Sequence, residues 1–193
     1  MKVPGYNKEN RKNTNSNFAQ LPKGNYVCKI ISIAEHTSKA GNAMIKIAFD
    51  VAEGEYKDFY KKKFDEDDRE NKKWPGDAVY YMTIPTDGCH AFITDQWDSF
   101  WANVEDSNNG YVFTGDEKTV KGKIFGGIFR IEQSQADSGQ VYEHTRLFRT
   151  NTAQAVRDGK VTWVPKDKLV DGGAAGSDDF MVIPEGSPVD LPF

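Results

Sequence analysis

The chain is short of most features that mark an enzyme, a membrane protein or a secreted protein. It has only two cysteines in 193 residues, Cys28 and Cys89, far apart and in no metal-ligand spacing. Two plain thiols in a reduced cytosolic setting are therefore expected, with Cys28 a small core residue in a strand-like run. No run of 18 apolar residues occurs, so no membrane span is expected. The N-terminus lacks an apolar stretch of the kind a secretory signal needs. Histidine is scarce too: His36, His90 and His144 fall in loop, turn and strand contexts, with no nucleophile or carboxylate partner assignable to them. No zinc, P-loop or dinucleotide-binding spacing is present, so neither an enzyme nor a cofactor is expected. The acids at 65–68 lack a calcium-loop glycine and a second cluster at a defined spacing, so no metal is expected there.

Positive charge is missing from two stretches. After Lys168 there is no Lys or Arg, while Asp171, Asp178, Asp179, Glu185 and Asp190 follow. Gly, Ser and Pro interrupt every apolar run of residues 171–193, so this tail is expected to be disordered. Residues 65–117 hold thirteen acids against Arg69, Lys72 and Lys73. The remaining body, 1–64 and 118–170, carries twenty-two Lys or Arg against eleven Asp or Glu. The formal net charge of −4 thus conceals a strongly basic portion. A basic sheet beside an acidic insert and an acidic tail is the pattern of a groove that tracks a phosphate backbone.

One domain fits this length, and the order of elements is legible. Residues 1–20 are polar and Asn-rich, an expected flexible arm. Residues 25–35 are rich in β-branched and aromatic residues and predict a strand. Residues 44–53 alternate, with Ile45, Ile47, Phe49 and Val51 on one face, and predict its antiparallel hairpin partner. Residues 55–64 interleave aromatics with lysines; as a strand they would place rings inward and cations outward. Residues 77–85 predict another strand. Residues 89–105 switch to helical spacing, with Trp97, Phe100 or Trp101, and Val104 as an inward stripe. A short strand is expected at 111–113. Residues 118–134 and 141–150 predict two further strands, with paired glycines at 126 and 127 suggesting a bulge or bend. A short helix is expected at 152–157, and residues 161–169 close the body.

Aromatic rings stack on splayed bases while cations follow phosphates, so single-stranded nucleic acid needs both groups together. Tyr60, Trp74, Tyr80 and Phe125 are the candidate stacking platforms. Lys61, Lys62, Lys63, Lys121, Lys123, Arg146 and Arg149 are the candidate phosphate contacts. The alternative is a protein-interaction or virion-structural β-domain whose lysines serve only solubility.

The tip Asp190, Leu191, Pro192, Phe193 resembles the end of bacterial and phage single-stranded-DNA-binding proteins, whose acidic, Gly-rich tails close on Asp-x-Pro-Phe or a close variant. The body is similar in layout to phage-encoded members with an OB fold: a long opening hairpin, a lone helix between strands, a Lys-Gly-Lys strand at 121–123, and a basic final strand with Arg146 and Arg149. The acidic run at 65–68, directly after the lysines at 61–63, departs from that layout. The resemblance implies a mainly β, OB-fold-like antiparallel barrel over residues 21–170, with one main helix. It implies sequence-tolerant single-stranded DNA binding in phage or prophage replication, recombination or repair, in the cytoplasm of a bacterial host. Asp178, Asp179, Asp190, Leu191, Pro192 and Phe193 would dock helicase, polymerase or recombinase partners. Homo-oligomerisation is open on this reading, and no membrane partner is implied.

Overall fold

The computed structural model describes residues 20–170. A five-stranded antiparallel sheet forms the frame, in the order β3-β2-β1-β4-β5. Its strands are β1 (Asn25–Thr37), β2 (Ala43–Val51), β3 (Val79–Thr83), β4 (Ile124–Gln135) and β5 (Val141–Asn151). Three α-helices accompany them among the described residues: α1 (Phe59–Asp65) between β2 and β3, α2 (Ala91–Ser107) between β3 and β4, and α3 (Ala153–Arg157) after β5. The sheet is open, with β3 and β5 as its edges.

Alternation dictates which residues meet inside. Cys28 lies between Val51 of β2 and Phe125 of β4, and Ile30 lies beside Phe49. Next along β2, Ile47 pairs with Tyr80 and Ile45 with Met82. These side chains share one face of the sheet, and α2 covers it with Phe100, Trp101 and Val104. Phe49 is the hub, meeting Tyr60, Phe125 and Phe129 edge-on at 5.9, 6.1 and 5.8 Å. Each such aromatic pair contributes about 0.5–1.5 kcal/mol beyond the area it buries.

Two expectations fail for identifiable reasons. The stretch 55–64 is not a strand: Phe59–Asp65 is helix α1. Its donors are satisfied from outside the helix, because buried Asp50 accepts the backbone N–H groups of Tyr60 and Lys61 at 2.9 and 3.2 Å. A carboxylate at a helix start meets both orphan donors and the positive end of the helix dipole. Residues 111–113 form no strand either. There Phe113 stacks on Trp101 at 3.5 Å, and its N–H donates to Glu105 Oε1. The main helix starts two residues later than expected, since His90 Nδ1 caps it by accepting the Phe92 N–H at 3.2 Å.

The paired glycines have a packing reason. A Cβ on Gly126 would lie 2.6 Å from Thr152 O and 2.6 Å from Val156 Cγ2, so the strand and α3 touch only because no side chain intervenes. A Cβ on Gly127 would meet Phe129 at 2.7 Å and Cys28 Sγ at 3.1 Å. The β4–β5 register shifts just beyond, between Ile128 and Phe129, which is the bend the glycines suggested. Past that point β4 leaves β1, and Lys168 covers the freed edge through bonds to Ile131 O and from Gln133 N–H.

Candidate functional site

One group of cations and aromatics outside the core lies on β4, β5 and the segment that follows α3. Phe129 and Leu147 face the core as a pair, so their neighbours Arg130 and Arg146 project to the opposite side, directly opposed to each other. Two guanidinium groups on facing positions repel, and such pairs are avoided unless other groups balance them. Here each is held separately. Arg130 donates to Glu132 at 2.7 Å and lies over the Phe148 ring at 4.0 Å. Arg146 stands 3.9 Å from Asp77 Oδ1, in the lead-in to β3.

Phe148 is the extra residue at the register shift, since Arg149 pairs with Ile128 and Leu147 with Phe129. That shift leaves Phe148, Arg149 and Trp163 together. Phe148 and Trp163 are 5.8 Å apart at 33°, and the Arg149 guanidinium lies 5.5 Å from one ring and 5.3 Å from the other. Cations over ring faces at these distances hold the rings in place while leaving the charge available. Trp163 is 48 % exposed, and Arg149 is also exposed. An open cleft beside them is lined by Ile128, Arg149, Asn151, Lys160, Thr162 and Trp163.

Asp77 joins this surface to α1. Its carboxylate lies 3.0 Å from His144 Nδ1, 3.9 Å from Arg146 and 3.9 Å from Lys63 Nζ. The edges β3 and β5 do not pair, yet one acid in the lead-in to β3 reaches two side chains of β5. Lys63 and Arg146, far apart in sequence, thereby become neighbours of one carboxylate.

The remaining predicted residues separate into several places. Lys61 and Lys62 are exposed on α1, and Lys61 pairs with Asp65 at 2.5 Å. This is the acidic run answering the lysines one turn away. Lys121 and Lys123 lie in the turn before β4, held to Ile30 by backbone bonds, with Lys123 over the Tyr111 ring at 4.4 Å. Position 123 is five residues from Ile128, about 16 Å along the strand, so these lysines do not join the Arg149 cluster.

Two aromatic assignments need correction, and two more rings are partly engaged in packing. Tyr60 is 1 % and Phe125 0 % exposed, so neither offers a face to a base. Both are turned inward because Phe49 on β2 supplies the surface they cover. Tyr80 packs on Phe100, and its hydroxyl accepts from Gln96 Nε2 at 2.8 Å. Burial pushes that phenol above its ordinary range, against the hydrogen bond from Gln96. Trp74 is half-buried, donates to Phe49 O at 3.2 Å and lies against Phe64. Its N–H is already used, and one ring face is occupied.

Phe148 and Trp163 were missed. Their sequence signal was an aromatic beside Arg149 and a lone tryptophan in a polar closing segment. The tail residues Asp178, Asp179, Asp190, Leu191, Pro192 and Phe193 lie outside the described residues.

Residues 8–75 match a family model described as a protein of unknown function (DUF669). That match takes in β1, β2 and α1 and ends before β3, so it does not reach the Arg149 cluster. No curated protein matches the chain.

Proposed function

We propose that this chain binds single-stranded DNA with little sequence preference, through the outer side of β4 and β5 and the segment at 160–163. One observation carries the proposal: Arg130, Phe148, Arg149 and Trp163 form an alternating array of cations and rings on an otherwise ordinary sheet face. A polynucleotide requires both groups at once, rings for its bases and cations for its phosphates. An exposed tryptophan in the segment after α3, lying beside an arginine of β5, brings the two groups together.

The sheet order favours the same reading. Strands in the order 3-2-1-4-5, with a helix between β3 and β4, have the connectivity of an OB-type barrel opened along one seam. The Asp77 contacts to His144 and Arg146 cross that seam with side chains where a closed barrel would use backbone ladder bonds. The acids of α2, namely Asp95, Asp98, Glu105 and Asp106, belong to a stretch at 74–117 with no Lys or Arg, which leaves the basic track elsewhere. Binding, without catalysis, is the proposed role. Phage or prophage DNA metabolism, with partner enzymes recruited through Phe193, is the setting the tail's resemblance suggests.

The test is anisotropy of labelled dT oligomers over a salt series. Affinity should fall with salt, with a slope of about −0.7 per phosphate contacted. Trp163→Ala should weaken binding about 5- to 150-fold, the equivalent of about 1–3 kcal/mol for one lost stack, at an unchanged melting temperature. No binding at low salt would leave the interaction-domain alternative. Equal binding by wild type and a Phe148→Ala, Arg149→Ala, Trp163→Ala triple variant would place the interface on another surface.

A further inference from the structure

We infer that the DNA path continues past Arg146, crosses the seam at Asp77, and ends on a second ring-and-cation subsite made by Phe64, Lys72 and Trp74. The inference rests on the function proposed above and gives its interface a second end.

The first observation is that one arrangement occurs twice. The Phe64 and Trp74 rings lie 5.7 Å apart at 38°, and Lys72 Nζ stands 4.8 Å over the Phe64 ring. Phe148 and Trp163 lie 5.8 Å apart at 33°, with Arg149 over both. Each is a tilted pair of rings with a cation on a ring face, the combination that takes a base and its phosphate. Trp74 is fixed on the sheet because its N–H donates to Phe49 O at 3.2 Å. An open cleft runs beside Phe64 and Trp74, with Ile31 of β1, Lys29 and Lys61 along it. Two acids also line it, and both are engaged. Asp50 accepts backbone N–H groups of α1, and Asp65 pairs with Lys61.

The second observation is that the two arrangements are connected. Arg146 lies three residues from Arg149 on β5, about 10 Å along the strand. Its guanidinium is 3.9 Å from Asp77, and Lys63 Nζ is 3.9 Å from the same carboxylate. Asp77 thus draws cations to one spot from both sides of the seam. Phe64 follows Lys63 directly, and Trp74 precedes Asp77 by three residues. A phosphate chain leaving Trp163 therefore meets Arg149, Arg146 and Lys63 before it reaches the second pair of rings. With both subsites on one frame, a strand held at the first finds the second at high effective concentration, provided it is long enough to span them.

The experiment titrates dT oligomers of about 4 and about 16 nucleotides, the limits of site size for such folds, against the full chain and two variants. With Phe64→Ala, the long oligomer should bind about 5- to 150-fold more weakly, one lost stack, while the short one is held almost as before. Lys72→Gln alters only an exposed side chain, and its long-oligomer salt slope should lose about 0.7. If Phe64→Ala lowers the melting temperature, Lys72→Gln decides. Unchanged long-oligomer affinity and slope would overturn the second subsite and leave the β4–β5 interface standing. Equal losses at both lengths would also overturn the two-ended path. Failure of the wild type to bind dT would remove the function and this inference together.

Discussion

At the scale of the residue, burial separates rings that composition treats alike. Tyr60 and Phe148 each sit beside basic residues in the sequence, at 61–63 and at 149. One is enclosed against Phe49 and the other lies among arginines at a register shift. Tyr60 also carries a cost. Its hydroxyl is buried without a hydrogen-bond partner, and burial drives its ionisation far above the ordinary range. An unsatisfied buried hydroxyl costs about 1–3 kcal/mol. Tyr60→Phe keeps the ring and removes that cost, so thermal unfolding should show an equal or higher melting temperature. A clear drop would mean that a buried water serves the hydroxyl.

At the scale of the element, contacts made by backbone and glycine decide geometry that side-chain patterns leave open. Helix α1 exists where a strand was expected because Asp50 caps it from β2. Burial raises the Asp50 carboxyl above its ordinary 3.8, while the N–H groups of Tyr60, Val51 and Lys61 pull it down. The helix turns Tyr60 inward and leaves Lys61 and Lys62 exposed, which divides an aromatic-lysine run into core and surface. The contact of β4 with α3 depends on Gly126. Because backbone Thr152 O cannot step aside like a flexible side chain, Gly126→Ala should force the helix off the strand. A loss of about 1–3 kcal/mol is expected from equilibrium urea unfolding. A neutral result would show that α3 docks loosely. The expected bend at the glycines and the short helix after β5 were both legible; their contact was not, because the demand for a small residue at 126 comes from residues 152 and 156.

For the molecule as a whole, acid should loosen the joints between distant segments. Glu53, at the end of β2, chelates Arg157 of α3 at 2.6 and 3.0 Å, and this hydrogen bonding holds its carboxyl below the ordinary 4.5. Asp167 is held below 3.8 as Lys23 and the Ile131 N–H oppose the effect of its burial. A depressed carboxyl contributes stability that is complete above its unfolded value and is lost as pH falls through the folded value. Asp50, raised by burial, works the other way: its charged form burdens the fold above its folded value, and protonation relieves that burden. Two joints lost against one burden relieved predict a melting temperature that falls from about pH 4.5 downward. Glu53→Gln should lower it near pH 7 and flatten the decline; an unchanged profile would show that the exposed Glu53–Arg157 pair is screened to nothing.

The order of strands, the amphipathic helix and the segregation of charge were all readable along the chain. Each is a local matter of period or composition, set by a residue and its neighbours within a few positions. Which rings face solvent, and which cations stand together, was decided by the fold. Lys63, Asp77, His144 and Arg146 meet across a seam between non-adjacent strands. Phe148 finds Trp163 because a one-residue register shift re-aims it. Both are relations between remote segments, fixed by packing around Phe49 and by glycines that let α3 approach, and no period in the sequence encodes them.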